Sequence, residues 1–200
     1  MQSFWDEKFA SEVWLYGTKP NAFIKAHADR IAPKSRVLCL AEGEGRNATF
    51  LAALGHSVLA VDFSTRALQK ARALAADRGV AIETEQADLT VWQCAETFDA
   101  ITATYLHLPE HQAREVFEKL LLQLNPGGVF MGEFFAKAQL DYASGGPQDP
   151  ALLYEAALFE ALSKHPDLHL SYLEEAIVHL DEGPGHRGPG AVVRVVIQRR

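Results

Sequence analysis

The segment Glu42-Gly43-Glu44-Gly45-Arg46-Asn47 sets two glycines in one turn, directly after the apolar run Arg36-Val37-Leu38-Cys39-Leu40-Ala41. Glycines at a strand-to-helix junction let the backbone pass close to a ligand where a Cβ would clash. A helix starting there points free N–H groups at the same space. About 20 residues on, a second apolar run ends in Asp62, where a carboxylate can accept hydrogen bonds from a ribose 2′- and 3′-hydroxyl pair. Together these features point to an adenosine-containing ligand rather than to a turn that only reverses the chain.

Two ligands compete. Gly43-x-Gly45-x-x-Ala48 also fits the dinucleotide fingerprint, which would mean NAD and hydride transfer. Three features favour S-adenosylmethionine, with S-adenosylhomocysteine as its product. Gln86-Ala87-Asp88-Leu89 ends a third strand-like run, and an Asp-Leu there can take the adenine amino group. Asn125-Pro126-Gly127-Gly128 leads into a fifth strand, and a terminal hairpin follows. Glu42 and Glu44 flank the turn, where carboxylates would repel a pyrophosphate but tolerate a sulfonium and an α-amino group. No Tyr-x-x-x-Lys pair suited to hydride chemistry is found.

Methyl transfer from a sulfonium is an in-line displacement, so the protein has mainly to align a nucleophile and exclude water. Candidate acceptor-side residues follow the later strands. Tyr105 and His107 come directly after the fourth, and a histidine at the carboxyl end of a parallel strand is well placed for function. Glu133 and Phe135 end the fifth. His186 and Arg187 sit in a Gly/Pro-rich connection with Asp181 and Glu182, where Arg187 would attract an anion. The competing readings are a capping or surface histidine at 107 and a solvated turn at 186–187. His107 and His111 are spaced like metal ligands, but Pro109 intervenes and no third ligand is evident, so no metal site is expected.

The elements that must position these groups follow from periodicity. The first 30 residues read as two short helices, with Trp5, Phe9 and Val13 on one face of the first and Phe23, Ile24 and Ile31 on the second. Strands are expected over 36–41, 57–61, 80–86, 98–104 and 129–135, alternating with helices over 47–54, 65–78 and 109–124. Such alternation implies a parallel sheet with helices on both faces. After a Gly/Pro-rich loop at 137–150, the pattern gives a helix over 151–163. Two strands, 168–180 and 191–197, then follow with no helix between them, an antiparallel hairpin at the sheet edge. The loop around Tyr142-Ala143-Ser144-Gly145-Gly146-Pro147 is long enough to be a lid, or else a connector.

The chain has 200 residues, enough for one domain with a continuous core. Hydrophobic residues make up 48% and charged residues 22%, and no apolar run is long enough for a membrane helix. The net charge of −7 makes nucleic acid a poor partner. Cys39 and Cys94 form no framework, and a segment beginning Met1-Gln2-Ser3-Phe4 is no secretory signal, so a reduced, cytoplasmic compartment is expected.

With these residues in view the chain resembles class I S-adenosylmethionine-dependent methyltransferases, and within them the small bacterial group related to the tellurite-resistance and thiopurine-type enzymes. The resemblance rests on Phe4-Trp5-Asp6-Glu7-Lys8-Phe9, Tyr16-Gly17-Thr18-Lys19-Pro20-Asn21, Leu40-Ala41-Glu42-Gly43-Glu44-Gly45-Arg46-Asn47 and Val61-Asp62. Asn125-Pro126-Gly127-Gly128 and the tail from Leu180-Asp181-Glu182-Gly183 to His186 complete it. It implies an α/β, Rossmann-like seven-stranded sheet, mostly parallel, with the last strand antiparallel. The single domain over 1–200 would divide into a helical lid at 1–31, a cofactor-binding core at 35–135 and an acceptor side at 136–200. The turn Glu42, Gly43, Gly45 and Asn47 would hold the methionine part, Asp62 the ribose with Phe63 and Ser64 beside it as further cofactor-binding residues, and Asp88 and Leu89 the adenine. Thr104 and Tyr105 would sit beside the sulfonium, and Tyr16 of the lid would also bind the cofactor. The acceptor would be a small molecule: a thiol, another small organic nucleophile or a chalcogen oxyanion. The chain departs from the pattern at Cys39 and Ala41, where most relatives carry an acid and a glycine; Glu42 is the candidate replacement for the acid. That departure keeps a non-catalytic cofactor-binding protein in view beside the oxidoreductase.

Overall fold

A computed structural model describes residues 2–200; Met1, the first residue of the expected lid segment, lies outside them. Along the chain the elements are α1 (Gln2–Lys8), α2 (Ala22–His27), β1 (Arg36–Leu40), α3 (Arg46–Ala53), β2 (Ser57–Asp62), α4 (Thr65–Asp77), β3 (Glu83–Gln86) and β4 (Phe98–Thr104). They continue with α5 (Glu110–Leu121), β5 (Leu124–Phe135), α6 (Ala156–Leu162), β6 (Leu168–Glu182) and β7 (His186–Arg199). The seven strands form one sheet in the order β3-β2-β1-β4-β5-β7-β6. The first five are parallel, and β7 runs antiparallel between β5 and β6. The sheet order reverses direction beside β1, which pairs with both β2 and β4, and the carboxyl ends of these three strands open a crevice there. Leu40 faces Val61 on one side and Ala103 on the other, so Ala41, Asp62 and Thr104 emerge at one edge.

Successive side chains of a strand point to opposite faces, and β1 divides its residues accordingly. Val37 and Cys39 pack with Val58, Ala60, Leu51 and Ile24. Leu38 and Leu40 pack with Ile101, Phe117, Phe130 and Phe159. Cys39 is fully buried in the apolar cluster that α3 covers, where the resemblance leads one to expect an acid.

Several boundaries differ from the sequence reading, each for a local reason. The expected strand at 80–86 shrinks to Glu83–Gln86, because the Val80 N–H closes α4 by bonding to the Ala75 carbonyl past a left-handed Gly79. The expected helix at 151–163 splits into a 3-10 turn, Pro150–Leu152, and α6. Between them Tyr154 is extended, bridges to Ala136 and exchanges hydrogen bonds with the Leu108 backbone. Most of the expected connector at 181–190 is strand, leaving a tight turn at Gly183-Pro184-Gly185. Strand β5 begins at Leu124, so Asn125-Pro126-Gly127-Gly128 lies within it, beside an irregular register between Phe98 and Ala100. Val13 lies beyond α1 and is exposed, whereas Phe9 is buried. No helix among the described residues is long and apolar enough to cross a membrane.

Candidate cofactor and acceptor site

The glycine turn is held from below by two acids. Glu42 reaches forward and accepts from the Asn47 and Ala48 N–H groups at 2.8 and 2.7 Å, capping α3. Asp62 reaches across from β2, accepting from Gly43 N–H and Ser64 N–H at 2.8 Å each. The two glycines do different work. Gly45 has φ +88°, and a Cβ there would meet Ala71 Cβ at 2.6 Å and Ala71 Cα at 2.7 Å, so it lets α3 approach α4. Gly43 has φ +63°, and its Cβ would find nothing nearer than Phe9 Cζ at 3.7 Å; it keeps the cavity wall low. Ala41, at the position where the resemblance implies a glycine, adopts φ +47°. Burial pushes the Glu42 carboxyl up to about 7 and the Asp62 carboxyl up to about 6, against the N–H groups that bond them.

Over this turn fold α1 and residues 11–19. Asp6 accepts from Ser64 Oγ at 2.6 Å and from Arg66 N–H at 3.2 Å, fastening α1 to the start of α4. Lys70 donates to the Ser11 and Val13 carbonyls and pairs with Glu44, which accepts from the Tyr16 N–H. The Gly185 N–H donates to the Leu15 carbonyl at 2.8 Å, so the β6–β7 turn rests on the same segment.

Beneath the other end lies a buried polar cluster drawn from five elements. Asn21, the N-cap of α2, donates through Nδ2 to Glu133 at 2.6 Å and to Glu182 at 2.9 Å. Glu133 also accepts from Tyr105 Oη and Arg194 Nε, both at 2.6 Å. Glu182 pairs with Arg46 at 2.9 Å and with His186 Nδ1 at 3.1 Å. Burial opposes ionisation of Glu182, but His186 and Arg46 outweigh it and hold the carboxyl at about 2. Asn47 completes the set, accepting from Asn21 N–H at 2.8 Å and donating to Thr104 at 3.2 Å.

The rings above this cluster form the remaining wall. His186 packs against Tyr16 at 4.3 Å, Tyr105 at 4.5 Å and Phe135 at 5.1 Å between centroids. His107 stacks between Trp5 at 5.8 Å and Phe135 at 6.2 Å. Burial drives His107 down to about 3 and also lowers His186, where Glu182 partly offsets it. Both imidazoles are therefore neutral at pH 7.

One cavity runs from the glycine turn to these rings. Of the residues singled out from sequence, it is lined by Tyr16, Glu42, Gly43, Asp62, Phe63, Asp88, Leu89, Thr104, Tyr105, His107 and His186. Gly45, Asn47 and Ser64 stand behind the wall, Ser64 as the N-cap of α4. Arg187 is exposed and does not line the cavity; its N–H bonds to the Ser144 carbonyl. Sequence reasoning passed over Arg46, Leu106 and Leu108 as lining residues. It gave Trp5 and Phe9 as a helix face within the expected lid segment, without naming them as lining residues. The loop around Ser144-Gly145 is ordered by Gln139, which bonds to both residues and to the Ala191 N–H, and a Cβ at Gly145 would strike His186 Cδ2 at 2.7 Å.

Residues 37–128 match the family model described as a methyltransferase domain. A curated protein, hemagglutinin 1 of Eikenella corrodens, is 27% identical over 137 residues, covering 62% of this chain and 45% of that protein. The chain thus spans less than half the length of that relative. Among solved structures, one reported for conversion of a disulfide bond into a thioacetal group in echinomycin biosynthesis superposes with a TM-score of 0.79 at 19% identity, covering 100% of this chain and 91% of the other. TehB from Haemophilus influenzae gives 0.75 at 18% identity, covering 100% and 67%. An S-adenosylmethionine-dependent methyltransferase from Clostridium acetobutylicum gives 0.69 at 15%, covering 98% and 96%. Residues 37–128 thus match a methyltransferase domain, and the chain has the fold of S-adenosylmethionine-dependent methyltransferases.

Proposed function

We propose that this protein transfers a methyl group from S-adenosylmethionine to a small-molecule acceptor. The observation that carries the reading is the union, in one cavity, of the Asp62-braced glycine turn with a closed aromatic and imidazole wall. The residues fit the cofactor. Gly43 leaves the wall low, Asp62 keeps lone pairs for ribose hydroxyls, and Glu42, Asp62 and Asp88 give the lining the sign that suits a sulfonium and an ammonium. Asp88 and Leu89 would bound the adenine, Phe63 the ribose side, Glu42 the ammonium, and Thr104 with Tyr105 the sulfonium. When bound, the cofactor supplies an electrophilic methyl carbon and a good leaving group.

The chain's own residues then do three things. Asp62 and Glu42 fix the turn, so that the site is shaped before any ligand arrives. Trp5, Phe9 and Tyr16 close over the cavity and exclude water, which strengthens electrostatic interactions inside it. His107 and His186 bound the space left for the acceptor, and their neutral rings offer it no fixed charge. The same acidic lining disfavours the pyrophosphate of NAD.

Calorimetric titration with S-adenosylmethionine and, separately, with NAD tests the reading. Dissociation near micromolar, about −8 kcal/mol, is expected for the first and no binding for the second. Asp62→Asn should weaken the first by roughly tenfold or more, about 1.4 kcal/mol. Binding of NAD alone would overturn the proposal, and binding of S-adenosylmethionine with no acceptor methylated would favour a non-catalytic role.

A further inference from the structure

The Glu182–His186 pair and the charges around it say more about the acceptor. This inference rests on the methyl-transfer reading above. We infer that Glu182 is a positioning residue that fixes His186 with its proton on Nδ1 and a lone pair on Nε2, and that the acceptor is an uncharged thiol whose proton Nε2 removes.

Glu182 Oε2 lies 3.1 Å from His186 Nδ1, and Glu182 Oε1 is taken by Arg46 and Asn21. An ionised carboxylate only accepts hydrogen bonds, so Nδ1 must be the donor and Nε2 must carry the lone pair. No described residue hydrogen-bonds to Nε2, and His186 lines the cavity. The Gly145 backbone against Cδ2 and the rings of Tyr16, Tyr105 and Phe135 hold the imidazole in place. The charged and titratable groups around it are Glu182 on β6, Arg46 on α3, Lys8 on α1, and Tyr16, Tyr105 and His107 on their loops. Glu182 raises its basicity, while burial, Arg46 and Lys8 lower it.

The lining disfavours an oxyanion. It carries Asp88, the part-protonated carboxyls of Glu42 and Asp62, and Glu44 paired with Lys70, while its one lining cation, Arg46, is already neutralised by Glu182. Lys8 lies over the Trp5 and Tyr16 rings, and Arg187 faces solvent. An acceptor suited to this space arrives without negative charge, and Nε2 of His186 is placed to take a proton from it. An imidazole, even lowered from its ordinary value near 6.5, is better matched to a thiol near 8.5 than to an alcohol. The balance is complete. The S–H proton passes to Nε2, the acceptor sulfur bonds the methyl carbon, and the pair from the broken sulfonium bond stays on the cofactor sulfur. The imidazolium, held by Glu182, later gives its proton to water.

The test uses the whole chain with labelled S-adenosylmethionine and four probes: 2-mercaptoethanol, benzyl mercaptan, selenite and tellurite. Both thiols should be methylated and both oxyanions left untouched. Glu182→Gln should keep cofactor binding but lower kcat by about 10²-fold or more and abolish the rise of kcat with pH. His186→Asn, which leaves the Arg46 pair intact, should lose as much, and the double variant no more. Nitrogen-15 imidazole spectra of the ligand-free protein should show the proton on Nδ1, moving to Nε2 in Glu182→Gln. Methylation of the oxyanions, inert thiols, near-normal turnover in either variant, or an unchanged tautomer would each overturn the inference while leaving cofactor binding standing. Absence of S-adenosylmethionine binding in the unaltered protein would instead overturn the underlying reading.

Discussion

Replacing each glycine of the turn with alanine separates folding from ligand recognition. At Gly45 the added methyl meets both Cβ and Cα of Ala71 inside 3 Å. The Cα belongs to the α4 backbone, so relief requires moving a helix. Overpacking of that kind costs about 1–3 kcal/mol, and an L-residue at a left-handed φ adds roughly 1–2 kcal/mol. Gly45→Ala should therefore lose about 2–5 kcal/mol of stability. Gly43→Ala carries only the second cost, because its methyl points into open cavity beneath Phe9. It should lose about 1–2 kcal/mol while weakening S-adenosylmethionine binding by tenfold or more. Urea unfolding at constant m, paired with calorimetry, reads both quantities. Equal destabilisation by the two variants, or unimpaired cofactor binding by Gly43→Ala, would refute the division of labour.

Two further outcomes follow from the buried charges. Glu42 and Asp62 keep protons in the fold up to about pH 7 and 6, whereas the unfolded chain releases them near 4. The folded state thus binds more protons in that window, and these two groups make the ligand-free protein lose stability as pH rises from about 4 to 7. Binding a cationic cofactor favours the ionised carboxylates, so affinity should rise through the same window and binding should release protons. Calorimetry in buffers of different ionisation enthalpy measures that release, and none at pH 6.5 would contradict the assignment. Arg46→Met strands the buried Glu182 carboxylate and should cost about 3–5 kcal/mol in denaturant unfolding; a loss below 1 kcal/mol would show that the pair is more hydrated than its burial implies.

What could be read from the chain was whatever lies close together along it. The strand, turn and helix around Gly43 and the acid at Asp62 are a local pattern, and alternating strands and helices fixed the parallel core. The terminal hairpin was evident from two β-rich runs, but its strands run through the Gly/Pro-rich stretch that looked like a loop, because pairing Asp181 with Arg187 and Glu182 with His186 needs only a tight turn. The polar cluster was hidden for a different reason. Asn21, Arg46, Glu133, Glu182 and Arg194 are each ordinary surface residue types, and only the topology of the sheet brings them within hydrogen-bonding distance. Arg187 drew attention because it follows His186, yet strand alternation turns it to the opposite side.

The Gly185 N–H bond to the Leu15 carbonyl ties the turn preceding His186 to the segment that covers the cavity. Its consequence is one of timing. Lifting that segment to widen the way in removes the support beneath the His186 turn. Ligand exchange then belongs to a state in which the imidazole is loosely held, and proton transfer to the state in which the turn is seated. The opening and closing of that segment therefore sets a ceiling on turnover, above which faster proton transfer at His186 would gain nothing.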